Sequence, residues 1–136
     1  MSTAIKNKLK GGLEPRVYDK LLTFKDKNFV VEYETEKLEY SIPGNYCPDF
    51  PLTVDGHKVY LEVKGYFDDQ ALKKMDAVTK AYPELDIRMV FEKDNKLSRR
   101  KRKKYSDWCN ERNIPWILLK NLTKDWIKIR WAKVLP

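Results

Sequence analysis

Apolar residues along this chain change their spacing from three and four to two and back, and those changes divide it into elements. Val17, Leu21 and Phe24 recur at helical spacing, so a helix is predicted from Leu13 to about Asp26, with Pro15 tolerable only in its first turn. Two stretches rich in aromatic and β-branched residues, about Phe29–Tyr33 and Lys37–Ile42, read as strands. PGNYCP, Pro43–Pro48, then breaks regular structure. Strands are predicted at Phe50–Val54, Val59–Lys64 and Asp86–Phe91, and a short one at Trp116–Leu119. Between them fall two helices. One is capped by Asp68 and runs to about Tyr82, with Leu72, Met75 and Thr79 inward and Pro83 ending it. The other spans Ser98 to Asn113 and buries Tyr105, Trp108 and Cys109. Thr123–Val134 stays open: WIKIRW alternates like a strand but could close as a helix. Trp108, Trp116, Trp126 and Trp131 lie among aliphatic residues and read as core. The order implies an α/β fold, a mixed central sheet flanked by helices, in a single domain over 1–136 with a flexible basic arm at 1–11.

Asp55-Gly56 is a strong hairpin turn, and a two-residue loop fixes the pairs Val54 with His57, Leu52 with Val59 and Phe50 with Leu61. Phe50, Leu52, Val54, Val59, Leu61 and Val63 then share an apolar face, which must be core. Asp49, Pro51, Thr53, Lys58, Tyr60, Glu62 and Lys64 share the other, with Asp49 across from Glu62. A four-residue loop would move the pairing by two and leave both faces as they are. Pro51 predicts that its strand is a sheet edge or is bulged there.

Charge narrows the partners. The net charge is +8, yet Lys93–Lys104 alone contributes +7, and the other 124 residues only +1. RRKRKK, Arg99–Lys104, sweeps every face at helical spacing, so it must project into solvent, where it suits phosphate binding; a merely solvated or targeting basic run is the plainer alternative. Nucleic acid comes before an anionic membrane as the partner. Cys47 and Cys109 match no zinc spacing and read as free thiols in a reducing compartment. His57, the only histidine, excludes a multi-histidine metal site and reads, like Cys47, as a bystander. No apolar run approaches the roughly 18 residues of a membrane span, and no signal peptide is evident, so a soluble intracellular protein without a nucleotide cofactor is expected.

The hairpin carries the candidate chemistry. Opposed carboxylates destabilise a sheet unless a hard cation sits between them, and Mg²⁺ prefers such oxygen ligands. Lys64, two residues beyond Glu62, could orient a water or neutralise charge on a phosphate. The bland alternative is a strand end with an ordinary Glu62–Lys64 or Asp49–Lys64 ion pair. Glu14 lies on the inward stripe with Val17, Tyr18 and Leu21, a costly place for an acid without a partner; otherwise it is an N-terminal carboxylate favoured by the helix dipole.

Pro48-Asp49 followed by Glu62-Val63-Lys64 resembles the signature of the PD-(D/E)XK nuclease superfamily. Gly12-Leu13-Glu14, Pro48–Phe50, Glu62–Gly65 and Tyr82–Phe91 further resemble, in order and spacing, the phage endonuclease I family of Holliday-junction resolvases, over residues 12 to 127. The resemblance implies a restriction-endonuclease-like core and a metal-dependent endodeoxyribonuclease that resolves four-way and other branched DNA by paired cuts. It implies catalytic Glu14, Asp49, Glu62 and Lys64. Mg²⁺, with Mn²⁺ able to substitute and two ions per site, would be held by Asp49, Glu62, the Val63 carbonyl and Glu14. From their charge rather than from the resemblance, Arg99, Arg100, Lys101, Arg102, Lys103 and Lys104 are the candidate DNA contacts, and Tyr66, just after Glu62–Gly65, is a weaker one. The resemblance also implies a homodimer exchanged through a crossing segment at 42–48, which is shorter here than expected and carries Gly44. A phage-encoded protein of this kind would work in the cytoplasm of a host bacterium. Two rivals remain: a restriction-like, nicking or transposon-end duplex endonuclease, and a non-catalytic basic DNA-binding module.

Overall fold

The computed structural model describes residues 8–39, 45–98 and 102–131. In chain order its elements are α1 (Leu13–Leu22), β1 (Phe29–Val31), β2 (Leu38–Glu39), β3 (Asn45–Tyr46), β4 (Phe50–Val54), β5 (His57–Lys64), α2 (Asp69–Ala81), β6 (Ile87–Phe91), α3 (Tyr105–Glu111), β7 (Trp116–Leu118), a 3-10 turn (Leu119–Asn121) and α4 (Lys124–Lys128). A five-stranded sheet in the order β1-β4-β5-β6-β7 forms the centre, and β2 pairs with β3 separately. β1, β4 and β5 run antiparallel, whereas β5, β6 and β7 are parallel, so the α/β architecture with a mixed sheet is present as expected.

The β4–β5 hairpin holds the expected register: Phe50 pairs with Leu61, Leu52 with Val59 and Val54 with His57. Asp55 and Gly56 have φ of 50° and 80°, the doubly left-handed turn whose twist matches paired strands. The apolar face packs against Val17, Tyr18 and Leu21 of α1 and Ile127 of α4. The opposite face is covered too: Tyr60, Ile87, Met89 and Phe91 meet Met75 and Val78 of α2 and Tyr105, Trp108 and Cys109 of α3. Helices on both faces are what a sheet with parallel strands requires. β5, β6 and β7 end together, Lys64 beside Phe91 and Phe91 beside Leu118, so the loops after them emerge on one rim.

Several expectations need correction. Pro51 marks neither an edge nor a bulge: β4 lies between β1 and β5, and Pro51 pairs with Tyr60. Its missing N–H costs only half of one exchange with the neighbouring chain, since the Pro51 carbonyl still accepts from Glu32 N–H at 2.8 Å. The helix predicted from Ser98 starts only at Tyr105. Lys104 N–H donates to Asp107 Oδ2 at 2.8 Å, and Ser106 donates to Asp94 from both N–H and Oγ, which fixes the helix start beyond the basic run. Its other end closes at Asn113, φ 56°, with Ile114 N–H on the Cys109 carbonyl at 2.9 Å.

The ambiguous tail forms α4, because Thr123 caps it through Trp126 N–H and the buried Arg88 gathers its terminal carbonyls. Arg88, 0% exposed, bonds to the carbonyls of Trp126, Ile127 and Ile129 and grips Asp86 through two nitrogens, both at 2.8 Å. Trp131 is not core: it stays 40% exposed, 4.5 Å from the Arg88 guanidinium. Among the described residues no helix is long and apolar enough to cross a membrane. Of the suggested crossing segment, 42–44 lie outside the described residues, and Asn45–Tyr46 forms β3.

Candidate active site

The hairpin's regular pairing ends at Phe50 and Leu61, and one step further a side chain takes over from the backbone. Asp49 Oδ2 accepts the Val63 N–H at 2.8 Å, while the Asp49 carbonyl accepts Glu34 N–H at 3.1 Å from the chain beyond β1. Asp49 is thus locked between two segments. Both it and Glu62 are buried, at 8% and 5% exposure. Glu62 has a partner on each oxygen: Tyr46 hydroxyl donates to Oε2 at 2.7 Å, and Lys64 Nζ lies 3.3 Å from Oε1.

Two carboxylates and one ammonium leave the cluster short of positive charge. Burial, then the charges of Glu62 and Glu14, push the Asp49 carboxyl up to about 9, against the lowering pull of Val63 N–H and Lys64. Burial raises Glu62 as well, although Lys64 and Tyr46 both favour its ionised form. Lys64 moves the opposite way from a lone buried amine. Desolvation would lower it, but Glu62 and Asp49 together outweigh that and hold it above the usual lysine value.

Glu14 sits half-buried in the first turn of α1, where it accepts Tyr33 hydroxyl at 2.6 Å and Lys10 N–H at 2.9 Å through Oε1. It lines a cleft with Lys10, Arg16, Val63, Gly65 and Glu92, and Arg16 bridges to Glu92 at 2.8 Å. Its field reaches Asp49, yet its carboxylate is turned to Tyr33. Among the described residues no three Asp, Glu, His or Cys side chains converge closely enough to hold a metal. Asp49, Glu62 and Lys64 are brought together, and Glu14 is not part of that cluster, its carboxylate being bonded to Tyr33. The donor set still fits one divalent cation, because Mg²⁺ is commonly held by one or two carboxylates with water and substrate phosphate completing its shell.

Of the basic run, Arg99, Arg100 and Lys101 lie outside the described residues. Arg102, Lys103 and Lys104 are exposed but not helical. They form the returning arm of a loop whose strands are tied by Leu97 N–H to the Lys103 carbonyl and Tyr105 N–H to the Asn95 carbonyl. Lys103 pairs with Glu111 at 2.6 Å. That loop leaves the end of β6 beside the end of β5 that carries Lys64, and its returning arm places Arg102 and Lys103 in a cleft with Asp69, Lys73 and Asp76 of α2. Tyr66 is 74% exposed just beyond. His57 bonds to Asp86 at 2.9 Å, remote from the acids in the sheet.

Tyr46 and Tyr33 escaped the sequence reading. Each lies in an irregular or short extended segment, where no periodicity tells which way a side chain points. The only hint was a tyrosine within PGNYCP, three residues before Asp49.

A family model described as phage endonuclease I matches residues 2–135. The Endonuclease I of Escherichia phage T7 is 32% identical over 123 residues, spanning 88% of this chain and 78% of that protein. The Endodeoxyribonuclease 1 of Enterobacteria phage T3 is 33% identical over 109 residues, 77% of this chain and 68% of that protein.

Proposed function

The chain belongs to the phage endonuclease I family, and from that premise we propose that it is a Mg²⁺-dependent endodeoxyribonuclease that resolves four-way and other branched DNA junctions. The observation that carries this reading is the buried Asp49–Glu62 pair beside Lys64. Two desolvated acids in mutual repulsion are costly to a fold unless something cationic offsets them. Asp49, Glu62 and the Val63 carbonyl would hold one ion, and Glu14, once released from Tyr33, a second. Mn²⁺ has the same preference for oxygen and would substitute. When bound, divalent cations supply the charge that stabilises the entering and leaving oxygens of a phosphodiester.

The protein's own part is positioning. Lys64 stays protonated under the pull of Glu62 and Asp49, so its ammonium can orient the attacking water or neutralise charge growing on the phosphate. Glu62, held at both oxygens, keeps that ammonium in place. Among the described residues Asp49 gives only Oδ2 to the backbone, which leaves Oδ1 for a ligand. Arg99–Lys104 would grip phosphates without reading bases, which suits a substrate recognised by shape. A homodimer would offer two equivalent sites for two coordinated cuts.

The test is to incubate the protein with a four-way junction, linear duplex and single strand, in Mg²⁺ and in EDTA. Symmetrical junction cuts that require metal are expected. Glu62→Gln and Lys64→Ala should bind the junction normally but cut it at least about a hundredfold more slowly. Preferred, site-specific cutting of duplex would sink junction resolution, and binding without cutting would sink catalysis. Undiminished cleavage by either variant would remove that residue from the chemistry.

A further inference from the structure

We propose that Tyr46 is a positioning residue, whose hydroxyl fixes Glu62 in the orientation that receives a divalent cation. The inference rests on the metal-dependent reading above and extends it to a residue outside the four catalytic positions.

Tyr46 is fully buried, in a cluster with Tyr60, Phe67, Met75 and Met89. Its single side-chain polar atom donates to Glu62 Oε2 at 2.7 Å. The other carboxylate oxygen meets Lys64 Nζ at 3.3 Å, so the group is tethered at both ends and its last torsion is fixed. Terminal carboxylate torsions are otherwise broad, and a ligand that must be frozen on binding loses affinity. The two tethers differ in kind. Lys64 brings a positive charge, which repels an incoming cation. The phenol is a neutral donor and brings no charge of its own. It can therefore favour the ionised carboxylate without competing for it, as partners behind metal ligands commonly do. Lys74 Nζ of α2 lies 5.7 Å from the centre of the Tyr46 ring, and β3 pairing holds the backbone, so the phenol is itself braced from two sides.

Tyr46→Phe removes the hydroxyl and keeps the ring. Mn²⁺ binding to the DNA-free protein, followed by calorimetry or by the loss of free Mn²⁺ electron paramagnetic signal, should weaken by about ten- to a hundredfold. The Mg²⁺ concentration that half-saturates junction cleavage should rise in parallel. The rate at saturating metal should stay within a few fold of wild type, and so should the melting temperature in EDTA within a few degrees. A merely structural tyrosine would do the reverse, lowering the melting temperature and leaving metal affinity alone; that result overturns the inference. Unchanged Mn²⁺ binding by Tyr46→Phe overturns it while the metal-dependent reading stands. No Mn²⁺ binding by wild type, or undiminished binding by Glu62→Gln, overturns both. Wild type gives a second readout that needs no variant: Mn²⁺ should perturb the near-ultraviolet absorption of a buried tyrosine, and a silent spectrum overturns the inference even where Tyr46→Phe fails to fold.

Discussion

Asp49 titrates in the folded protein near 9 rather than near 3.8, because it is desolvated beside Glu62 and Glu14. Between those two values the folded chain keeps a proton that the unfolded chain has given up. The part of the stability that depends on Asp49 is therefore fully present at the acid end without metal and is lost as pH rises from about 4 to about 9. The expected outcome in EDTA is a melting temperature that declines across that window, with a flatter profile in Asp49→Asn. Mn²⁺ should change the sign of the trend. A carboxylate must lose its proton to bind metal, so the stabilisation that Mn²⁺ confers should grow with pH up to about 9. An EDTA profile identical in wild type and Asp49→Asn would remove Asp49 as the cause.

At the scale of elements, the β4–β5 hairpin delivers the site and its turn sets the register. Gly56 takes φ 80° with open space where a Cβ would go, so a larger residue meets no clash but must adopt a left-handed backbone. Gly56→Ala should cost about 1 kcal/mol in urea unfolding. Junction cleavage per folded molecule should be unaltered, since five pairs of apolar and polar residues still specify the faces. A loss of activity without loss of stability would mean that the register had slipped. The loop between β6 and α3 does a second delivery. Because its arms are tied by backbone bonds from Leu97 and Tyr105, the cations at its returning end stand on a hairpin-like support rather than on a helix face.

For the whole molecule, a single chain and an exchanged dimer differ in which chain would bring Glu14 to the proposed site. Within one chain α1 reaches Val63 and Gly65 and joins the same rim through Arg16 and Glu92. The link from that N-terminal part to Asp49 runs through 40–44, so an exchanged dimer would preserve every contact described here while drawing Glu14 from the partner. Mixing refolded Glu14→Gln and Asp49→Asn chains separates the two arrangements. In an exchanged dimer one of the two sites regains all four residues, and nicking of junctions should return to a sizeable fraction of wild type. In an unexchanged dimer every site keeps one lesion, and no activity should return; light scattering on the same mixture reports whether it is dimeric.

Much of this protein follows from order along the chain alone. A two-residue Asp-Gly turn dictates pairing by counting, and strict alternation then divides the hairpin into its faces, so the register and the proximity of Asp49, Glu62 and Lys64 were legible before any coordinates. Helix capping by Asp68 was legible for the same reason, since a cap and the N–H it accepts lie three residues apart. Tertiary structure decided what depends on contacts between distant segments. Tyr46 and Tyr33 reach their carboxylates across 16 and 19 residues, and Arg88 turns the tail into a helix by gathering carbonyls 38 to 41 residues away. Asp94 and Asp107 move the start of α3 past the basic run, which periodicity alone had placed inside the helix. Local pattern fixes which face a side chain shares; only packing chooses the partner it meets there.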